Sequence, residues 1–158
     1  MNFHTPIVIA ALAILSVTAF AAEEAGRRLT PAEITALTQT GAGAGTSGVV
    51  GIQTIVLTGN PTQAGLYTLR LTAPPNTRIE AHTHKDSRSA IVQSGTWYFG
   101  YGPRFEAGAL KTLPAGSFYT EPPGVAHFAE TRGEPVVLIV TGFGPTDTVF
   151  PGAAAAPR

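Results

Sequence analysis

From Val49 to Phe150 apolar and polar residues fall into short runs, each closed by residues that reverse a chain. Ile52 to Thr58 ends at Gly59-Asn60-Pro61, Leu66 to Thr72 at Ala73-Pro74-Pro75-Asn76, and Arg78 to His84 at Lys85-Asp86-Ser87. Glycine, proline, asparagine and aspartate each favour reversal through their own backbone or side-chain chemistry, so every break reads as a turn. Ala90 to Tyr101 is long and bends at Gly95; Leu110 to Leu113 leads into Pro114-Ala115-Gly116, and Ser117 to Glu121 into Pro122-Pro123-Gly124. Val125 to Ala129, the apolar Val136 to Thr141 and a last edge segment, Asp147 to Phe150, follow. No window here keeps a helical period, and eight or nine short strands at this spacing predict an antiparallel sandwich or closed barrel.

The N-terminal third reads differently. Thr30-Pro31-Ala32-Glu33 has the form of a capping box with proline at the first helical position, predicting a short N-terminal helix from Pro31 to near Thr40. Gly41 to Gly48 has no side chain large enough to order its backbone, and reads as a flexible linker. Residues 1–22 contain no Lys, Arg, Asp or Glu, carry the apolar run Ile7 to Leu15 and end in Ala19-Phe20-Ala21, the pattern of a secretory signal peptide. An uncleaved anchor is the competing reading, but the apolar run falls short of the ~20 residues a span needs. The expected organisation is therefore 1–22 signal peptide, 23–48 polar segment, helix and linker, 49–150 β domain and 151–158 disordered tail. Localisation is then periplasmic or secreted, with no stable membrane span after cleavage.

Charge narrows the partners. Ten Lys plus Arg balance ten Asp plus Glu and no basic run exists, so a nucleic acid has nothing to steer it. The absence of cysteine excludes a disulfide framework and a lipidated cysteine anchor.

Three histidines carry the chemistry. His82 and His84 are two apart on a strand-like run, so their imidazoles share a face and make half a metal site; His127 lies on another strand after a turn. Around them, Asn76, five residues, His82-x-His84, three residues, Arg88, six residues and Gly95 form one motif. Gly116, five residues, Pro122-Pro123-Gly124, two residues, His127, three residues and Thr131 form a second. This pair resembles the two motifs of the cupin superfamily, and covers about a third of the chain. The resemblance implies an all-β fold, the cupin double-stranded β-helix or jelly-roll barrel of the small type-2, RmlC-like kind, with the short helix before it. It also implies one divalent ion (Fe, Zn, Mn, Ni or Cu) held by His82, His84 and His127, and a homodimer.

Three positions depart from the family pattern. Asn76 stands for glycine, which is mild because asparagine tolerates positive φ. Thr131 stands for asparagine. Arg88 stands for the motif glutamate and cannot ligate, having no lone pair to offer. At ~5 Å from a divalent ion its charge would be repelled by about 7 kcal/mol at an effective dielectric near 20. Either the guanidinium pairs with Asp86 or another carboxylate, or an anion lies between it and the metal, in which case Arg88 clamps an anionic substrate group. Strand parity puts Glu80 on the histidines' face, as a fourth ligand or a partner for Arg88; the alternative is the barrel rim. Glu121 and Tyr119 are candidate acid–base groups, against the simpler expectation that both face solvent.

The leading functional expectation is an exported metal-binding cupin acting on a small organic, anionic or oxygen-rich molecule, as a metal-dependent dioxygenase if it is an enzyme. Cupins without the motif glutamate, such as acetylacetone dioxygenase and cysteine dioxygenase, are similar in ligand set. The alternatives are a non-catalytic binding or sensing cupin, and a metal-free isomerase or epimerase using a histidine as base.

Overall fold

The computed structural model describes residues 26–150; the expected signal peptide and C-terminal tail lie outside them. Nine strands follow one short helix: α1 Pro31–Thr35, β1 Gln53–Thr58, β2 Gly65–Ala73, β3 Arg78–His82, β4 Arg88–Ser94, β5 Thr96–Tyr101, β6 Lys111–Pro114, β7 Phe118–Glu121, β8 His127–Glu130 and β9 Val136–Gly144. They form two antiparallel sheets, in the orders β1-β2-β9-β4-β7 and β3-β8-β5-β6.

β9, the most apolar run, lies in the middle of the larger sheet, paired along its whole length with β2 and also with β4. Its inward side chains Leu138 and Val140 meet Leu71 and Val92 of the neighbouring strands, and Trp97, Phe99 and Ala129 from the facing sheet. Alternation along each strand buries these residues while leaving Thr68, Arg70 and Thr72 of β2 only partly covered. The long run from Ala90 to Tyr101 does break at Gly95, whose φ is +77°; a Cβ there would meet the Pro135 carbonyl oxygen at 2.5 Å. Asn76 takes the positive φ (+55°) that its place in the turn requires.

Two expectations for the N-terminal part are corrected. The capping box is present: Glu33 accepts from the Thr30 N–H at 2.7 Å, and the Thr30 hydroxyl accepts from the Glu33 N–H at 3.4 Å. The helix nevertheless stops at Thr35, because none of its residues is buried and so short a helix gains nothing from continuing unpacked. Thr40, expected at the helix end, exchanges two backbone hydrogen bonds with Thr54 instead.

The glycine-rich stretch expected to be a flexible linker is seated on the barrel. Thr46 and Ser47 are buried, and the Thr46 hydroxyl donates to the Gly43 carbonyl at 2.8 Å. The Thr46 carbonyl in turn accepts from the Thr148 hydroxyl at 2.6 Å. Gly45 has a φ of +86°, and a Cβ on it would meet Leu69 Cδ1 at 2.6 Å. Lack of side chains lets this backbone approach the barrel closely and offer its carbonyls as hydrogen-bond acceptors.

Candidate metal centre

β3 and β8 bring the histidines together, with His82 directly opposite His127 in the ladder. The register shifts between Ile79 and His82, so Ala81 and His82 are both buried where strict alternation would expose one. Just beyond β3, Thr83 exchanges two backbone hydrogen bonds with Val149, which tethers the 147–150 segment alongside His84. The ring centroids of His82 lie 4.4 Å from His127 and 4.9 Å from His84, and those of His84 and His127 are 5.3 Å apart.

Each ring is held from behind by a backbone carbonyl. His82 Nδ1 lies 2.8 Å from Glu80 O and His127 Nδ1 3.0 Å from Val125 O, while His84 Nδ1 bonds Asp147 O. A carbonyl only accepts, so Nδ1 carries the proton in all three and Nε2 keeps its lone pair. The Nε2 atoms of His84 and His127 are buried and have no hydrogen-bond partner. One ligand atom from each histidine can be chosen so that all three lie within 4.8 Å of one another. Burial drives the pKa of His82 down to about 3, helped by the neighbouring His127, and that of His84 to about 4, helped by the Arg88 charge. Burial lowers His127 as well. At neutral pH all three are uncharged, the form in which imidazole binds a metal.

Arg88 and Glu121 lie beside this cluster. They are opposite one another in the β4/β7 ladder, and both are buried. Arg88 donates from Nε at 2.7 Å and also from Nη2 to the same carboxylate oxygen, Glu121 Oε2, and from Nη1 to the Gly45 carbonyl at 2.9 Å. Of the two arrangements open to Arg88, the internal ion pair is the one found. Its partner is Glu121, since Asp86 is taken by the hydroxyls of Tyr67 at 2.6 Å and Thr146 at 2.5 Å. Glu121 Oε2 also lies 3.5 Å from His127 Nε2 and 3.8 Å from His84 Nε2. Burial alone would raise the Glu121 pKa; Arg88, with smaller help from His127 and His84, outweighs it and holds the group down to about 2.

The remaining candidates divide. Glu80 is exposed and pairs with Arg78 at 2.6 Å, so the fourth-ligand expectation fails; the register shift in β3 sends it outward while His82 turns in. Tyr119 and Glu121, expected at the surface, both face the interior, and Phe118 and Thr120 are the exposed members of β7. Alternation along β7 with Tyr119 inward was the signal that could have placed Glu121 inside the barrel. Burial, reinforced by the Glu121 charge, raises the Tyr119 pKa well above its usual value, so it stays protonated at neutral pH. Thr131 plays a structural part: its hydroxyl accepts from the Thr77 N–H at 2.9 Å and donates to Pro74 O at 2.5 Å.

The cavity between these groups measures about 30 Å³ and is lined by His82, Arg88, Glu121, His127 and Tyr119, with Gly45 to Ser47 also in its wall. That is room for an ion with a water or two, and too little for an organic molecule.

No family model and no curated protein matches the sequence. Solved structures do. A cupin 2 conserved barrel domain protein from Rhodopseudomonas palustris superposes with a TM-score of 0.53 at 14% identity, over 65% of this chain and 68% of that one. A protein of unknown function with a cupin-like fold from Ralstonia eutropha gives 25% identity and a TM-score of 0.49, over 61% of this chain and 57% of its own length. An RmlC-like cupin from Shewanella frigidimarina gives 22% identity and 0.48, over 66% and 79%. The fold is the cupin jelly roll. Fold and site together define a cupin-like barrel with a buried three-histidine centre able to hold a metal ion.

Proposed function

We propose that this protein binds one divalent metal ion through His82, His84 and His127 and uses an open position on it to engage a small anionic organic molecule. The observation that carries the reading is the locked set of Nδ1–H groups, each on a backbone carbonyl, which leaves the Nε2 lone pairs free, those of His84 and His127 buried and without any hydrogen-bond partner. Orienting a ligating imidazole through its other nitrogen is the ordinary way a protein prepares a metal site.

Charge supports the anionic ligand. Three neutral imidazoles add nothing and Arg88 cancels Glu121, so a loaded site keeps the full charge of the ion in a low-dielectric pocket. When bound, the metal supplies Lewis acidity and a template for an oxygen-rich group. The Tyr119 hydroxyl, in the same cavity wall and held protonated by burial, can donate a hydrogen bond beside it. Oxidation of the bound molecule with O2 is the finer form of the reading, supported by similarity of the three-histidine set to cupin dioxygenases. A non-catalytic binder of the same anionic molecule is the second form, and both forms require the Gly45 to Ser47 strap to move aside, because the cavity as it stands is too small for an organic molecule.

Export belongs to the proposal and rests on the composition of residues 1–22. A homodimer does too, supported by Leu66, Ile91, Phe118 and Phe143, which are exposed on the outside of the five-stranded sheet. Elemental analysis of the purified mature protein beside His82→Ala tests the metal: one equivalent in the wild type and none in the variant is expected, and equal content would refute it. Oxygen uptake with diketones, catechols and thiols then separates enzyme from binder.

A further inference from the structure

We infer that Glu121 is a fourth protein ligand of the metal, delivered from β7 in place of the glutamate that the cupin motif puts on β4, and that Arg88 is the residue that positions it. The inference rests on the three-histidine reading and extends it. Position 88, where the motif has its carboxylate, holds an arginine, and the residue directly opposite it in the β4/β7 ladder is a glutamate. Cross-strand partners in an antiparallel pair project to the same face with Cβ atoms ~5 Å apart. A carboxylate moved across that one rung therefore still reaches the same end of the barrel.

The distances from Glu121 to two of the three histidines agree. Two ligands sharing an ion at about 2.1 Å lie about 3.0 Å apart at a right angle and about 3.4 Å apart in a tetrahedron. Glu121 Oε2 stands 3.5 Å from His127 Nε2 and 3.8 Å from His84 Nε2, so only a small contraction is needed. Both of these nitrogens are buried and lack any hydrogen-bond partner. A neutral Nε2 bearing a lone pair gains nothing from facing an ionised carboxylate directly; a cation between them satisfies all three atoms. Arg88 then does for the carboxylate what the backbone carbonyls do for the rings. Its Nε and Nη2 both donate to Oε2 and fix that oxygen, while Gly45 O anchors the guanidinium. It also resolves the misfit of an arginine beside a metal, since the anion between them comes from the protein itself. An octahedral ion so held has two open positions instead of three. That weakens the analogy with dioxygenases whose ligands are three histidines alone.

The test is Co²⁺ titration of the metal-stripped full chain, following affinity and the visible d–d spectrum, for wild type, Glu121→Gln, and the double variant Arg88→Met with Glu121→Gln. Glu121→Gln alone leaves the arginine charge to repel the ion, so the double variant is decisive. If Glu121 ligates, both variants bind at least tenfold more weakly and their spectra change. Wild-type affinity and spectrum in the double variant would overturn the inference and leave the three-histidine centre standing; failure of the wild type to take up one equivalent would defeat both. Should neither variant fold, a crystal structure of the Co²⁺-loaded wild type decides. A Glu121 oxygen within about 2.2 Å of the ion supports the assignment, and one clearly outside bonding distance rejects it.

Discussion

Replacing Arg88 by methionine keeps the stem of the side chain and removes its charge, leaving Glu121 buried without its counter-ion. Two routes give the cost. With the pair intact, Arg88 holds the Glu121 carboxyl down to about 2 against an ordinary 4.5, a depression on the order of 3 kcal/mol at neutral pH. Breaking a buried ion pair by removing one partner costs 3–5 kcal/mol in general. The expected loss for Arg88→Met in the metal-stripped protein at pH 7 is therefore ~3 kcal/mol or more, a large share of the 5–15 kcal/mol that holds a domain together. Urea unfolding in the presence of a chelator measures it. The sign of the pH dependence adds a check. In the wild type the depressed Glu121 pKa contributes stability above pH 4.5 that is lost as pH falls toward 2. In the variant burial pushes the same pKa up, so the deficit should shrink as the pH is lowered toward 5 and the carboxyl takes a proton. Excess Zn²⁺ or Co²⁺ should also recover part of the loss, because a cation on the histidines replaces the missing guanidinium beside Glu121. A loss below 1 kcal/mol in chelator, with no dependence on metal, would refute the reasoning.

Acid should destabilise the metal-free wild type well above the carboxylate range. With His82 held down to about 3 and His84 to about 4 against an ordinary 6.5, the unfolded chain takes up protons that the folded one refuses, so stability falls as pH drops from 6.5 toward 4, by up to about 1.4 kcal/mol per pH unit for each histidine. Equal urea midpoints at pH 7 and pH 5 would contradict the burial of neutral imidazoles. Glu80→Ala should leave Co²⁺ affinity unchanged and cost no more than a surface ion pair, because the Glu80 carboxylate is exposed and pairs with Arg78, while the carbonyl that holds His82 is kept by alanine. A tenfold weaker titration would restore Glu80 as a ligand.

Much of this protein was legible before any coordinates. Turn residues spaced the strands correctly, and the offsets of Asn76, Gly95, Gly116 and Gly124, all at positive φ, with those of the three histidines, were enough to imply the barrel and the candidate ligand set. The failures have separate causes. Parity assumes an unbroken strand, and the register shift in β3 inverted the answer for Glu80. Glycine-rich composition implies freedom only where nothing waits to bond the backbone; Arg88 waits for Gly45, so the expected linker became a wall of the cavity.

Local pattern by itself determined most of the strands and their turns, because alternation and φ preference act within a few residues; that His127 would meet His82 and His84 came from the resemblance of the two motifs to those of cupins. Which carboxylate would stand beside Arg88 was decided by the pairing of β4 with β7, a contact between residues 33 positions apart. The sign and strength of a buried charge depend on its neighbours in space, and neighbours brought together by strand register leave no mark on the stretch of chain around either of them.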